Sequence, residues 1–317
     1  MTVLELIKAG ERQLLDAGVA FGHGTTNAFD EAAWLVLWQL GLPLDSALDD
    51  PQNDQNSVAN QAVPHDIHAQ VATILIARIT SRKPAAYLTR EAWLQGVPFY
   101  VDERVIVPRS FIAELLMNGS IDYWLTESTK QVLDLCTGNG SLAVLAAMVY
   151  PDVSVDACDI SLDALDVARI NVDKHGLQQR ITLLASDGLA SVRGPYDLIV
   201  CNPPYVNAAS MAALPPEYHA EPALALDGNS LGGVDGMDFI RQLLVDAPAH
   251  MSKNAVLVLE IGNEREHFED AFPHLQAVWL ETSAGEDQVL LVTREALFEL
   301  FPLSPFLPAA KPDGLGE

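Results

Sequence analysis

The sequence predicts an α/β protein. A doubly wound, mostly parallel sheet with an antiparallel edge pair follows a small helical domain and a β-hairpin linker. Three observations lead there. From Lys130 onward, short apolar runs of strand length alternate with segments of helix length. The first of these runs ends in a glycine turn, Thr137-Gly138-Asn139-Gly140, that opens a helix. Residues 1–90, by contrast, repeat apolar side chains at helical spacing.

Within residues 1–90, Leu4, Ile7, Leu14 and Leu15 give the first segment an apolar face. A second helix is expected over Asp30–Leu40, with acids in its first turn and a stop at Gly41 and Pro43. A third runs from His65 to Arg82, with Val71, Ile74, Leu75 and Ile79 at helical spacing. The polar, breaker-rich stretch 49–61 between them reads as a mobile loop. Residues 91–107 turn aromatic and β-branched, which predicts a hairpin joining two domains, with its turn signal at Asp102 and Glu103. The second domain, 108–302, carries expected strands at Val132–Cys136, Val153–Ile160, Ile181–Ala185, Tyr196–Cys201 and Ala255–Ile261. Its expected helices are Ser141–Val149 and Asp163–His175, the latter stopped by Gly176. Residues 277–293 read as two strands around a polar turn, and residues 303–317 as a loose, proline-rich tail.

Composition narrows the function. Of 317 residues, 49% are apolar and 19% charged, which excludes wholesale disorder. Lys and Arg number 18 against 43 Asp and Glu, a formal net charge of −25. Such a surface repels phosphate backbones and anionic lipid, so neither free DNA nor a membrane is expected as a partner. No apolar run reaches the ~18 residues of a membrane span, and the charged N-terminus lacks a signal-peptide core. Cys136, Cys158 and Cys201 form no C-x-x-C and read as small core residues of a cytoplasmic protein. The cations are uneven: Arg78, Arg82, Lys83, Arg90, Arg104 and Arg109 crowd into residues 78–109. That stretch reads either as a solvated helix face with its hairpin or as a docking patch for an RNA-rich or acidic partner.

The chemistry begins at the glycine turn. Gly138, Asn139 and Gly140 let the backbone turn sharply and pass close to a ligand. The pattern G-x-G-x-x-A also fits a dinucleotide site. Asp159, at the end of the second strand, can accept hydrogen bonds from a ribose diol in either NAD or S-adenosylmethionine. Asp134, just before the turn, can hold an ammonium, and Asp187, after the third strand, can accept an adenine amino group. Acids at three successive strand ends favour a cationic cofactor without phosphate.

The fourth strand runs directly into Asn202-Pro203-Pro204-Tyr205. Two prolines remove two N–H donors and stiffen the chain, leaving the Pro203 carbonyl free beside the Asn202 side-chain oxygen. Two fixed acceptors match the two donors of a planar NH2 group, and Tyr205 offers a flat face for stacking. An amide nitrogen is a poor nucleophile because its lone pair is delocalised. Holding it in plane aims its π-face and stabilises the positive charge it gains.

These motifs resemble the HemK/Prm family of N(5)-glutamine methyltransferases across nearly the whole chain. The resemblance implies a class I, Rossmann-like methyltransferase domain using S-adenosylmethionine and releasing S-adenosylhomocysteine, with the helical domain recognising substrate. It assigns the cofactor to Gly138, Asn139, Gly140, Asp159 and Asn202, and the substrate amide to Asn202, Pro203, Pro204 and Tyr205. Roles for Asp134 and Asp187 follow from the wider fold class. The branch acting on release factors carries P-R-P-E-T-E after its hairpin, where this chain has Pro108-Arg109-Ser110-Phe111-Ile112-Ala113-Glu114. Phe21–Ala32, Ala85–Thr89 and Phe99–Ser110 resemble instead the branch that methylates large-subunit ribosomal protein L-three. That branch implies ribosomal protein L-three, free or in assembly intermediates, as substrate. Release-factor methylation and adenine-N6 methylation of nucleic acid are the competing readings. His23 reads as a loop residue, no metal site is expected, and Arg109 is expected to contact substrate backbone or Glu114.

Overall fold

The computed structural model describes residues 1–48 and 57–301, so the expected tail and most of the expected loop lie outside the described residues. The N-terminal part packs α1 (Val3–Asp16), α2 (Ala28–Leu40), α3 (His65–Ser81) and the short α4 (Ala85–Thr89). Thr2 and Glu5 close a reciprocal capping box on α1, satisfying two otherwise orphaned amides. Asn27 caps α2, and Gly41 ends it in the left-handed conformation. Ile7, Leu14, Leu35, Leu37, Val71 and Leu75 form the core between them. That core continues into Val101, Val105, Val107 and Val167, so the helical domain is seated on the second domain rather than tethered to it.

A hairpin follows, but its turn is not at Asp102 and Glu103. Strands β1 (Glu91–Leu94) and β2 (Val97–Tyr100) pair around Gln95-Gly96, both with positive φ, as a two-residue primed turn requires. Gln seldom adopts that conformation, so only Gly96 marks the turn in the sequence. Asp102 instead binds Arg104 through both carboxylate oxygens, in a separate bend.

The remaining elements build the sheet. In chain order they are α5 (Ile112–Met117), β3 (Gln131–Leu135), α6 (Ser141–Val149), β4 (Ser154–Asp159), α7 (Leu162–Lys174), β5 (Ile181–Ala185), β6 (Tyr196–Cys201), α8 (Ala208–Ala213), α9 (Asp238–His250), β7 (Met251–Glu260), α10 (Arg265–Ala271), β8 (Val278–Thr282), β9 (Gly285–Thr293) and α11 (Arg294–Leu300). The seven sheet strands lie in the order β5-β4-β3-β6-β7-β9-β8, parallel except where β9 pairs with β7 and β8. Apolar clusters cover both faces, with α6 buried almost all round on one and α9 on the other. Helix α9 is an element the sequence reading does not contain. No described helix is long and apolar enough to cross a membrane.

Strand order fixes where a ligand can sit. The chain moves outward from β3 to β5, then returns to place β6 on the other side of β3. The crevice of an open α/β sheet lies at such a reversal, beyond the carboxyl ends of the strands. Leu135 pairs with both Cys158 and Cys201, so β3, β4 and β6 end level. The glycine turn, Asp159 and Asn202 therefore emerge side by side.

The cation-rich stretch is solvated in part, with Arg90 and Lys83 exposed, and each of its six cations meets a carboxylate of the same chain. Arg78 is fully buried and binds Glu31 at 2.8 Å, with Glu217 at 3.6 Å. Arg82 reaches Glu217 at 3.2 Å, and Lys83 reaches Glu103 at 2.8 Å. Arg90 and Arg104 pair with Asp102, and Arg109 with Glu221. All six cations are spent on carboxylates of the same chain, several of them across the domain junction.

Candidate active site

The turn after β3 is held in shape by carboxylates from below and beside it. Gly138 and Gly140 both have positive φ, and a Cβ on Gly140 would lie 3.1 Å from the Ala168 side chain, so α7 packs against bare backbone there. Asp159 accepts from the Gly138 and Ser161 amides, each at 2.9 Å. Burial raises its pKa, against the pull of those amides. Asp134 is wholly buried. Its Oδ2 accepts from Thr137 Oγ1 at 2.5 Å and from the Ala143 amide at 2.9 Å, while Oδ1 has no partner among the described residues. Asn139 turns its oxygen to the Ser141 amide and leaves its NH2 unpaired.

A cavity of about 330 Å³ opens at this reversal point. Of the residues expected to hold a cofactor, Gly138, Asp159, Asp187 and Asn202 line it. Asp134, Asn139 and Gly140 lie outside its lining and shape the turn from behind. Cys136 and Cys158 line it as well, and Cys136 bears a positive φ unusual for a side chain with a Cβ. The cavity's cation, Arg104, is already bound to Asp102.

Burial pushes Asp134 up to about 7, against the hydrogen bonds from Thr137 and Ala143. A carboxyl raised in the fold costs no stability below its ordinary value near 3.8. The cost grows as pH rises toward about 7 and is constant beyond. Asn offers one oxygen to the same two donors without the charge. Asp134→Asn is therefore expected to melt at a higher temperature than the parent at pH 8, with the gain shrinking toward pH 5. Thermal melts at the two pH values measure it, and an equal or lower melting temperature at pH 8 would count against a strained Asp134.

The turn after β6 places the other half of the site. Asn202 and Pro204 line the cavity, while Pro203 is buried and Tyr205 stands beyond the lining. Neither the Asn202 side chain nor the Pro203 carbonyl bonds to any described residue, and the Asn202 side chain is at the cavity wall while Pro203 is buried just behind it. Tyr205 is seated against Gly262, where a Cβ would come within 2.6 Å of the ring. Below it Glu260, at the end of β7, accepts from Ser110 Oγ at 2.5 Å and from the Phe111 amide at 2.9 Å. Burial raises Glu260 to about 7.

A loop over residues 214–227 closes the site, and sequence reasoning missed its acids. Glu221 accepts both guanidinium arms of Arg109 at 2.6 and 2.7 Å, plus the Val107 amide at 2.9 Å. Arg109 thus meets neither Glu114 nor a free surface; Glu114 accepts from the Ser283 amide. His23 is 1% exposed, 3.5 Å from Glu221, with its ring 4.3 Å from that of Tyr218. It sits in the α1–α2 loop, as expected, but buried as part of a clamp. Burial would raise Glu221, but Arg109 and His23 outweigh it and hold the carboxyl at about 2. The same loop lines the cavity through Pro222, Leu224, Ala225 and Asp227, and pairs with the Asn202 turn where the Val206 amide donates to the Leu226 carbonyl at 2.9 Å. The available signal was Pro215-Pro-Glu-Tyr-His-Ala-Glu-Pro222, two acids four apart inside a proline bracket.

Comparison with known proteins adds to this geometry. The model of the methyltransferase small domain matches residues 115–215. A ribosomal protein uL3 glutamine methyltransferase of Bordetella pertussis is 51% identical, over 93% of this chain and 96% of its own. The proteins of that name from Burkholderia pseudomallei and Neisseria meningitidis are 49% and 46% identical. These matches span 92% and 93% of this chain, and 94% of each relative.

Proposed function

The chain belongs to the family of ribosomal protein uL3 glutamine methyltransferases, and we propose that it methylates the side-chain amide nitrogen of a glutamine in uL3, drawing the methyl from S-adenosylmethionine. The observation that carries the reading is the uncommitted Asn202 side chain, level with the glycine turn and lining the same cavity as Gly138 and Asp159, with the unbonded carbonyl of Pro203 next to it in the chain.

The residues present fit that cofactor. Asp159 keeps lone pairs beyond the two amides it binds, enough to accept from a ribose diol. Asp187 is exposed at the cavity rim, suited to an adenine amino group. Among the described residues no uncommitted cation lines the cavity to meet a phosphate, and the unpaired Oδ1 of Asp134 suits a positive charge near the turn. When bound, S-adenosylmethionine supplies an electrophilic methyl group on a sulfonium.

The chain's own residues do the rest. Asn202 Oδ1 and the Pro203 carbonyl accept the two amide hydrogens and hold the NH2 plane, so that the nitrogen lone pair faces the donor. Tyr205 flanks the amide. Transfer of the methyl would break its bond to sulfur, leaving S-adenosylhomocysteine, and the positive charge passing to the amide would be stabilised by both oxygens without reorganisation. The N-protonated amide is a strong acid, so one of its protons passes to solvent water and the secondary amide remains. Prolines at 203 and 204 keep both acceptors rigid, which makes the orientation effective.

The experiment offers labelled methyl donor with isolated uL3, a release factor and DNA side by side. Label is expected on a glutamine of uL3, with initial rates at subsaturating uL3 falling as salt rises, because an acidic enzyme attracts a basic protein. Preferred labelling of the release factor would move the chain to the other branch. Labelled adenine would overturn glutamine as the target.

A further inference from the structure

The methyltransferase cradle grips one side chain, and a second recess lies on the other part of the molecule. A groove of about 870 Å³ runs between α2, the segment that follows it and the β1–β2 hairpin. Its walls carry three indoles, Trp34, Trp38 and Trp93, and three carboxylates, Asp30, Asp45 and Glu91. No Lys, Arg or His lines it among the described residues. None of the three acids takes part in a described ion pair, whereas the six cations of the neighbouring stretch are all committed elsewhere. Trp93 is 44% exposed and is held upright by a 2.8 Å bond from its indole N–H to Glu91. Trp34 is buried, and its indole N–H finds no acceptor among the described residues.

Indole faces beside carboxylates form a receptor for a cation on an aliphatic stem. The ring takes the stem and the positive edge of the head group, and the acid neutralises the charge. A neutral or acidic occupant would strip water from three carboxylates with no compensation. We infer that this groove docks a Lys- or Arg-bearing segment of the protein substrate, while a different part of that substrate presents its glutamine to Asn202. The inference rests on the proposed glutamine methylation and adds the surface that selects the protein.

Steady-state kinetics of Trp93→Ala and Asp45→Lys test it, with isolated uL3 and with a short peptide surrounding its target glutamine as alternative substrates. Both side chains are exposed, so neither change should disturb folding. Each variant is expected to raise KM for uL3 about tenfold with kcat unchanged, and to leave KM for the peptide at the parent value. The Asp45→Lys defect should shrink at high salt. An unchanged KM for uL3 in both variants, or an equal rise for the peptide, would overturn the docking role. Tryptophan fluorescence titrated with uL3 in the absence of methyl donor separates this inference from the catalytic one. A response in the parent that Trp93→Ala diminishes, without any methylation of uL3, would keep the groove and sink the catalytic reading. A response to deletion of residues 49–56, with none to uL3, would place the chain's own segment in the groove and overturn the inference.

Discussion

Asn202→Ala is expected to lower kcat for glutamine methylation by two to three orders of magnitude, leaving the fold intact and cofactor affinity within a few-fold. Its side-chain oxygen makes no structural bond, so truncation removes nothing that holds the turn. What disappears, on the proposed mechanism, is one of two acceptors for the charge that develops on nitrogen. Loss of one such preorganised group costs about 3–4 kcal/mol of transition-state stabilisation by analogy with an oxyanion-hole donor. Single-turnover rates together with calorimetric binding of S-adenosylmethionine give the two quantities separately. Parent-like turnover would sink the mechanism. Asn202→Asp should not restore it, since a carboxylate has lost the NH2 and carries a charge that is solvated and held differently.

Glu221→Gln is the second large effect, and it acts on stability and on the cavity together. The Glu221 side chain is fully buried, it receives Arg109 and a backbone amide, and His23 lies 3.5 Å away. Removing one partner of a buried, bidentate ion pair costs about 3–5 kcal/mol, because the other charge stays behind uncompensated. A Glu held at about 2 in the fold and near 4.5 when unfolded contributes stability that is fully present above pH 4.5 and is lost as pH falls through about 2. Parent and variant should therefore differ most in unfolding free energy at neutral pH and converge in acid. Because the same loop supplies Pro222, Leu224, Ala225 and Asp227 to the cavity, KM for the cofactor should rise as well. Denaturant unfolding across that pH range, with cofactor kinetics at neutral pH, checks both. A variant as stable as the parent at pH 7 would show that the clamp contributes nothing.

Sequence and structure agree where the physics is local. Ile181–Ala185 and Tyr196–Cys201 are apolar runs bounded by polar turns, and Ser141–Val149 is apolar all round because it lies buried against the sheet. The Asn202 turn is legible because two prolines after a buried strand have few other uses. The hairpin turn is not, since acids at 102 and 103 imitate a turn by composition while Gln95 hides the true one. Helix α9 carries Ile240, Leu243, Leu244 and Ala247 at helical spacing, yet Pro248 in its last turn reads as a stop. The ionic clamp is least legible of all. Arg109 and Glu221 stand 112 positions apart, and nothing in local pattern links a cation to an acid at that separation. Composition reveals that cations cluster, whereas only the fold reveals that each is already engaged.

The level strand ends have one more consequence. They gather three free thiols under the crevice: Cys136 and Cys158 at the cavity wall, and Cys201 buried at the end of the neighbouring strand. A thiolate is a far better nucleophile than an amide, so thiols set beside an alkylating cofactor invite self-inactivation. The neighbouring Cys201 thiol and burial push Cys136 well above its ordinary range, and burial raises Cys158 and Cys201 too. All three stay protonated at neutral pH. The packing that closes the sheet thereby keeps its strongest latent nucleophiles inert, and the methyl group is left for an amide that must be oriented before it can react.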